Sequence, residues 1–410
     1  MNLSFLKQNI ALICEEINKM ENKNINYSIM YDGVYIPRVF LESETYQKTF
    51  NKLIDNKELT KLLSKTIIIG TLNKMVKKHL IDNIPLTKES IRDFEKLTAN
   101  IKSYKVYVPI MGLQMFSEIV GMSKKVSIIR VDSNTIENYI PNIKNELNIY
   151  PTLIEVNVST ADFEKAMELS IEIGKYVVSF LRLVDYNGWD DEELSVRLPG
   201  YGGSKEGLRV YAVDSDKKDG YISWQNKSDS IVSLEIDQAA IEDMHKLGLN
   251  SFGSIIDDYL EYNLYELQHS ILRSIIWFGE SKVEVDDGAR FIKLMLSIEC
   301  LLNSNNTDPI TATLRDRMAF LLGESISERM NIAKKMTDLY AQRSRIVHHG
   351  NSKIKLIDLL NLENLVADVI VQFLTKEDLV TMKTKQELQQ YFEELKYSFN
   401  TTHTININEE

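Results

Sequence analysis

YAQRSRIVHHG, Tyr340 to Gly350, closes a strongly patterned helix with an arginine, a polar neighbour and two adjacent histidines. Ile332, Met336 and Leu339 recur upstream at helical spacing, and the same stripe runs through Arg343 to Ile346 and Val347. Arg343 therefore stands where a core residue is expected. A guanidinium cannot be neutralised by losing its proton, so on a buried face it requires a carboxylate, a phosphate or a subunit boundary. Glu299, at the edge of the Phe291–Leu302 stripe, is a candidate structural partner. On an ideal helix Arg343 and His348 are about 140° apart, so they share a face only through local unwinding or a second chain.

Outward from this stretch the chain reads as successive capped helices. Ser325 and Glu328 have capping-box spacing and open the helix that carries Arg343, and Gly350 can end it in the left-handed conformation. Asp308 before Pro309 starts the preceding helix, which Gly323 stops. Asp286 or Asp287 begins another, with Phe291, Leu294, Met295, Ile298, Leu301 and Leu302 on one face, and a long helix is expected from Ser254 to Gly279. Downstream, Asp358 to Leu374 is amphipathic, and Thr384 with Glu387 caps a last helix through Leu395. Strand signals almost vanish after a seam at Leu247–Ser254, so an α+β chain is expected: a mixed α/β domain over 1–248, a helical bundle over 249–400 and a polar tail over 401–410.

Within this run of helices the wording LYAQRSRIVHHG resembles the Apea-like branch of the HEPN domain family, over roughly residues 255–398. The family's arginine falls on Arg343, its polar neighbour on Ser344 and its histidine on His348, with Tyr340 and Gly350 also in familiar places. His349 is a rival to His348, because either lies within the spacing the family tolerates. The resemblance implies a bundle that pairs about a twofold axis, and a metal-independent endoribonuclease of a bacterial toxin-like or antiphage kind.

The residue types suit that chemistry. Histidine titrates near physiological pH and can move protons at the 2′-hydroxyl and the leaving 5′-oxygen of RNA, while a guanidinium offers forked donors to phosphate oxygens. His348 near a helix carboxyl end has its protonated form favoured by the macrodipole, and Ser344 could add one hydrogen bond. Arg345, Lys353 and Arg317 are candidate substrate contacts, with Glu299 and Tyr340 structural. No metal site and no cofactor are expected. RNA and a second copy of the chain are the expected partners.

The first 248 residues alternate strand-like runs with helices. KVYVPIMG, VSIIRV and TLIEVNV are rich in β-branched residues, and Thr160 is expected to cap the long apolar helix from Ala161. Further strand candidates are RVYAV, YISW and SIVSLEI. LPGYGGSKEG, Leu198 to Gly207, has Gly-Ser-Lys rather than the order that puts a lysine on nucleotide phosphates, and reads as a loop. NGWDDEEL, Asn187 to Leu194, stacks four carboxylates that mostly point apart, and reads as a solvated turn rather than a cation site.

At 410 residues and 44% apolar content the chain can bury two sizeable cores. Cys14 and Cys300 alone build neither a disulfide framework nor a four-thiolate zinc site, and a reducing, cytoplasmic home fits. Glu15 and Glu16 come too early for a signal peptide, and Glu164, Lys165, Glu168, Glu172, Lys175 and Arg182 make the most apolar helix a core element, so no membrane is expected. A net charge of −11 points away from indiscriminate coating of nucleic acid, yet Thr311–Lys355 holds nine Lys and Arg against four Asp and Glu. Three readings follow: an endoribonuclease, a non-catalytic dimerisation module that binds RNA or a nucleotide, and a regulatory scaffold, the last favoured if the basic cluster scatters in space.

Overall fold

The computed structural model describes residues 3–397 apart from 21–23, 32–33, 83, 85–87, 132–151, 185–195, 200–209, 215–219, 224–233, 285, 304–309 and 350–352. The expected Asp308-Pro309 start, the Gly350 stop, NGWDDEEL, most of the glycine-rich loop and the polar tail lie outside the described residues.

The first elements are α1 (Leu3–Lys19), β1 (Ser28–Tyr31), β2 (Val34–Pro37), α2 (Arg38–Leu41), α3 (Glu44–Ile54), α4 (Lys57–Thr60), α5 (Lys65–Ile81) and α6 (Lys88–Ala99). Ser43 and Ser64 accept from backbone amides at the starts of α3 and α5, satisfying donors that a helix cannot pair internally. Leu6, Ile10 and Ile13 of α1 then meet Tyr46 and Leu53 of α3 and Ile69 and Leu72 of α5 in one buried cluster.

Next come β3 (Lys102–Ile110), β4 (Leu113–Met115), β5 (Ile119–Gly121), β6 (Val126–Arg130), β7 (Thr152–Thr160), α7 (Phe163–Val184), β8 (Val210–Asp214), β9 (Gly220–Ser223) and β10 (Leu234–Ile236). Six strands form an antiparallel sheet in the order β5-β6-β7-β3-β8-β9, and β10 pairs in parallel with β4. The period of two puts Val106, Val108 and Ile110 of β3 and their register partners Val156, Ile154 and Thr152 of β7 on one buried face. The helix α7 packs beside them and begins later than expected. Its cap is Asp162, whose carboxylate accepts from the Lys165 amide at 2.8 Å and the Ser64 amide at 2.8 Å, while the Thr160 hydroxyl donates to the Asp162 carbonyl.

The remaining elements are α8 (Gln238–Lys246), α9 (Leu249–Leu260), α10 (Glu266–Ser281), α11 (Asp287–Leu302), α12 (Ile310–Leu322), α13 (Ile326–His349), α14 (Leu356–Thr375), α15 (Glu377–Val380) and α16 (Lys385–Tyr397). Among the described residues no strand follows Ile236, so the chain is a mixed α+β protein with a helical C-terminal region. The single helix expected over Ser254–Gly279 is two, α9 and α10. Tyr262, at φ 59°, turns the chain left-handed, with its amide donating to the Tyr259 carbonyl and the Asn263 amide to that of Asp258. That position usually carries glycine, which is why the sequence conceals the break.

The apolar core does not divide at the expected boundary of 248. One buried cluster covers Leu6–Val76 and Ala161, and the other runs from Tyr104 to Phe392. The helix α7 carries this second cluster across the boundary, since Phe180 stacks on Phe252 of α9 with ring centroids 4.4 Å apart. Gly279 of α10 lies so close to α7 that an added Cβ would sit 2.7 Å from the Ser179 Cα, and the Arg182 guanidinium donates to the Gly279 carbonyl at 2.8 Å. The sheet and the C-terminal helices are therefore two layers on one core.

Candidate functional site

The helix α13 opens with the expected capping box: the Glu328 amide donates to Ser325 Oγ at 3.2 Å, and Glu328 Oε2 accepts from the Ser325 amide at 3.1 Å. Met336 and Leu339 are buried, which anchors the helix by its apolar stripe. Arg343, one turn further, is partly covered, and its Nε lies 3.6 Å from Glu299 Oε1 of α11. Neither of these two atoms has a hydrogen-bond partner, so the attraction is coulombic and not a formed hydrogen bond. Burial pushes the Glu299 carboxyl above the usual carboxylate range, and the nearby Arg343 charge opposes this without cancelling it. The guanidinium also sits 5.7 Å from the ring centroid of Tyr340, whose phenol is raised by burial and by the Glu299 charge. Ser344 is half-buried beside it.

Because α13 runs without a break to His349, the angular separation of Arg343 and His348 stands within one chain. His348 belongs to a solvent-facing row in which Lys334, Asp338, Ala341, Arg345 and His348 are all exposed and follow one another at intervals of three or four. One copy of the helix thus separates the two motif residues, placing Arg343 against α11 and His348 in solvent with Arg345. His349 is the last residue of the helix.

The basic segment from Thr311 to Lys355 is not one patch. Arg317, expected as a substrate contact, is buried: its Nη1 donates to the Leu302 carbonyl at 2.6 Å, and its guanidinium lies 5.3 Å from the Phe392 ring centroid. It ties α12 to α11 and α16 and is not available to a phosphate. Arg329 donates to the Gly323 carbonyl at 2.9 Å, and Arg315 pairs with Asp316 at 2.8 Å. Lys334, Lys335, Arg345, Lys353 and Lys355 are exposed.

The fold also builds a feature that the sequence reading missed. Between α10 and α13 lies an open trough of about 610 Å³ whose floor is α11, with Gly288, Ala289, Ile292 and Leu296. Trp277 of α10 forms one wall, and Ile346 and Val347 of α13 form the other. The helices α10 and α11 run antiparallel here, since Ser274 meets Ser297 at 2.8 Å while Glu280, further along α10, meets Lys293, further back on α11, at 3.5 Å. Glu299 and Arg343 stand one turn along their helices from Leu296 and Ile346 of the lining. Burial raises the Cys300 thiol next along α11, and the nearby Arg273 and Lys385 charges oppose this without cancelling it. The only sequence signal was Arg273 and Trp277 four apart on a helix, which without the α13 wall is an ordinary surface pair.

Among the described residues no group of three or more His, Cys, Asp and Glu is placed to hold a metal ion, and no helix is long and apolar enough to cross a membrane. Comparison of the chain with family models, curated proteins and solved structures finds no match.

Proposed function

We propose that this chain is a metal-independent endoribonuclease of the HEPN type, an effector of the bacterial toxin or antiphage kind, whose active cleft forms between two copies. The observation that carries this reading is the state of Arg343. Its guanidinium, one turn along α13 from the trough's Ile346, is held by a carboxylate to which its Nε does not hydrogen-bond, so the forked oxygens of a phosphodiester would improve on the contact it has. In the proposed reaction Arg343 stabilises charge on the phosphate, Ser344 adds a hydrogen bond, and His348 or His349 transfers a proton at the 2′-hydroxyl or the 5′-oxygen. The exposed His348 of one copy serves the Arg343 of the other, because within one helix they lie on different faces. Arg345 and Lys353 guide the strand.

The test is expression of the intact chain beside an Arg343→Ala, His348→Ala variant, with total RNA examined for new ends. New ends with the wild type alone support the reading, and identical RNA from both overturns it.

A second reading, a non-catalytic HEPN dimerisation module that holds RNA or a nucleotide, is favoured by the same separation of Arg343 from His348 on one helix. It predicts RNA binding without new ends. The engagement of Arg315, Arg317 and Arg329 in contacts within the chain favours the regulatory scaffold instead, which predicts neither.

A further inference from the structure

We propose that the trough between α10, α11 and α13 is a nucleobase subsite, in which an unpaired RNA base lies against Trp277 while its phosphate is directed toward Arg273 and Arg343. This rests on the RNA reading above and adds a place for the base, which neither the motif nor the basic segment supplies.

The size comes first. About 610 Å³ lies in the range that takes one small organic group and is far short of a seat for a folded domain. Its depth follows from the floor, where Gly288 and Ala289 keep side chains out of the space that larger residues would fill.

The lining is apolar, with one aromatic wall and few polar atoms. Asp286 stands at the far end, but its carboxylate already accepts from the Ala289 amide at 2.8 Å, and Lys293 is held by Glu284 at 2.8 Å. Recognition there would use a π-face rather than base edges, which suits any base of a single strand.

Charge then sets the direction. Toward Glu299 the carboxylate faces Arg343, Lys385 donates to the Asn303 carbonyl at 2.8 Å and Arg273 lies near Cys300, whereas Lys293 on the trough's lining is balanced by Glu284. A ligand with an apolar flat part and an anionic part matches this asymmetry, and an aliphatic side chain from a second copy would leave the cationic end unanswered.

The experiment uses the full chain with two short single-stranded oligonucleotides made resistant to cleavage, one bearing bases and one abasic at the same length and charge. The wild type should bind the base-bearing strand roughly 5- to 100-fold more tightly. Its tryptophan fluorescence should be quenched by that strand, and the difference spectrum against Trp277→Phe assigns the quenching, since Trp189 and Trp224 are common to both. Trp277→Ala should bind the two strands alike, with Trp277→Phe between. Equal binding of both strands by the wild type, unchanged in Trp277→Ala, overturns the subsite and leaves the RNA reading standing. No binding of either strand overturns both. If Trp277→Ala turns a dimer into a monomer while the wild type binds the two strands equally, the trough seats a second copy and the base proposal is overturned.

Discussion

Arg343 and Glu299 meet across α13 and α11 at 3.6 Å, near enough to attract and too far for their facing atoms to hydrogen-bond. The consequence is readable in pH. Burial raises the Glu299 carboxyl above 4.5, so the folded chain binds this proton more tightly than the unfolded chain does. The contribution to stability is fully present below the unfolded value and is lost as pH rises through the raised folded one. Relative to Glu299→Gln, wild-type unfolding free energy should therefore fall as pH climbs from about 4.5 upward. Parallel denaturant titrations across that window check it, and equal slopes would mean that burial does not dominate at this carboxyl.

Losing Arg343 should remove phosphate stabilisation and losing the working histidine the proton transfer, each lowering RNA cleavage on the order of 10²-fold or more while the fold survives. His348→Ala and His349→Ala assayed side by side identify the working histidine. Because one helix presents Arg343 and His348 on different faces, activity should rise with association. Light scattering that finds a monomer cleaving at full rate would end the composite cleft.

Cleavage should persist in chelator. The described residues offer no cluster of metal-ligating side chains, and the proposed proton transfers run through histidine. RNA cleavage that stops with chelator and returns with magnesium would move the chemistry to another part of the chain.

Glu363 of α14 is buried between two cations, Lys282 Nζ at 2.5 Å and Arg290 Nη2 at 2.7 Å. Removing the shared anion leaves two charges facing each other in a poorly solvated place. Glu363→Ala should cost about 3–5 kcal/mol, read from chemical denaturation, with Glu363→Asp recovering part of it. A loss below about 1 kcal/mol would show that water reaches the site.

Gly279 lies against Ser179, so Gly279→Ala should force α10 away from α7 and destabilise by about 1–3 kcal/mol. A fragment beginning at residue 249 should suffer more, because Phe252 loses the ring of Phe180 and Gly279 loses its neighbour. Near-ultraviolet circular dichroism and dye binding report this, and a fragment with native-like aromatic signals and no exposed apolar surface would restore the division at 248.

Caps and periodicities were legible in the sequence because they act between residues a few positions apart. Ser325 with Glu328, Asp286 at the start of α11 and Thr384 with Glu387 bond as their spacing requires. The alternation in KVYVPI and TLIEVNV makes strands, and the stripe through Met336 and Leu339 is buried. The demand of Arg343 for an anion, and Glu299 as one able to meet it, were also readable from the stripe.

What the tertiary structure decided was what those faces meet. Arg317 and Arg345 look alike in sequence, yet one is spent on the Leu302 carbonyl and the other stands in solvent, because the packing of α12 against α11 and α16 chose between them. The core crosses residue 248 because α7 offers Phe180 and Ser179 to helices that lie some seventy to a hundred residues away, a choice no local pattern encodes. The trough exists only because Trp277, Leu296 and Val347, from three separate helices, converge without filling the space between them. Short-range hydrogen bonds and hydrophobic periods are properties of a segment, whereas a cavity is a property of how segments fail to close.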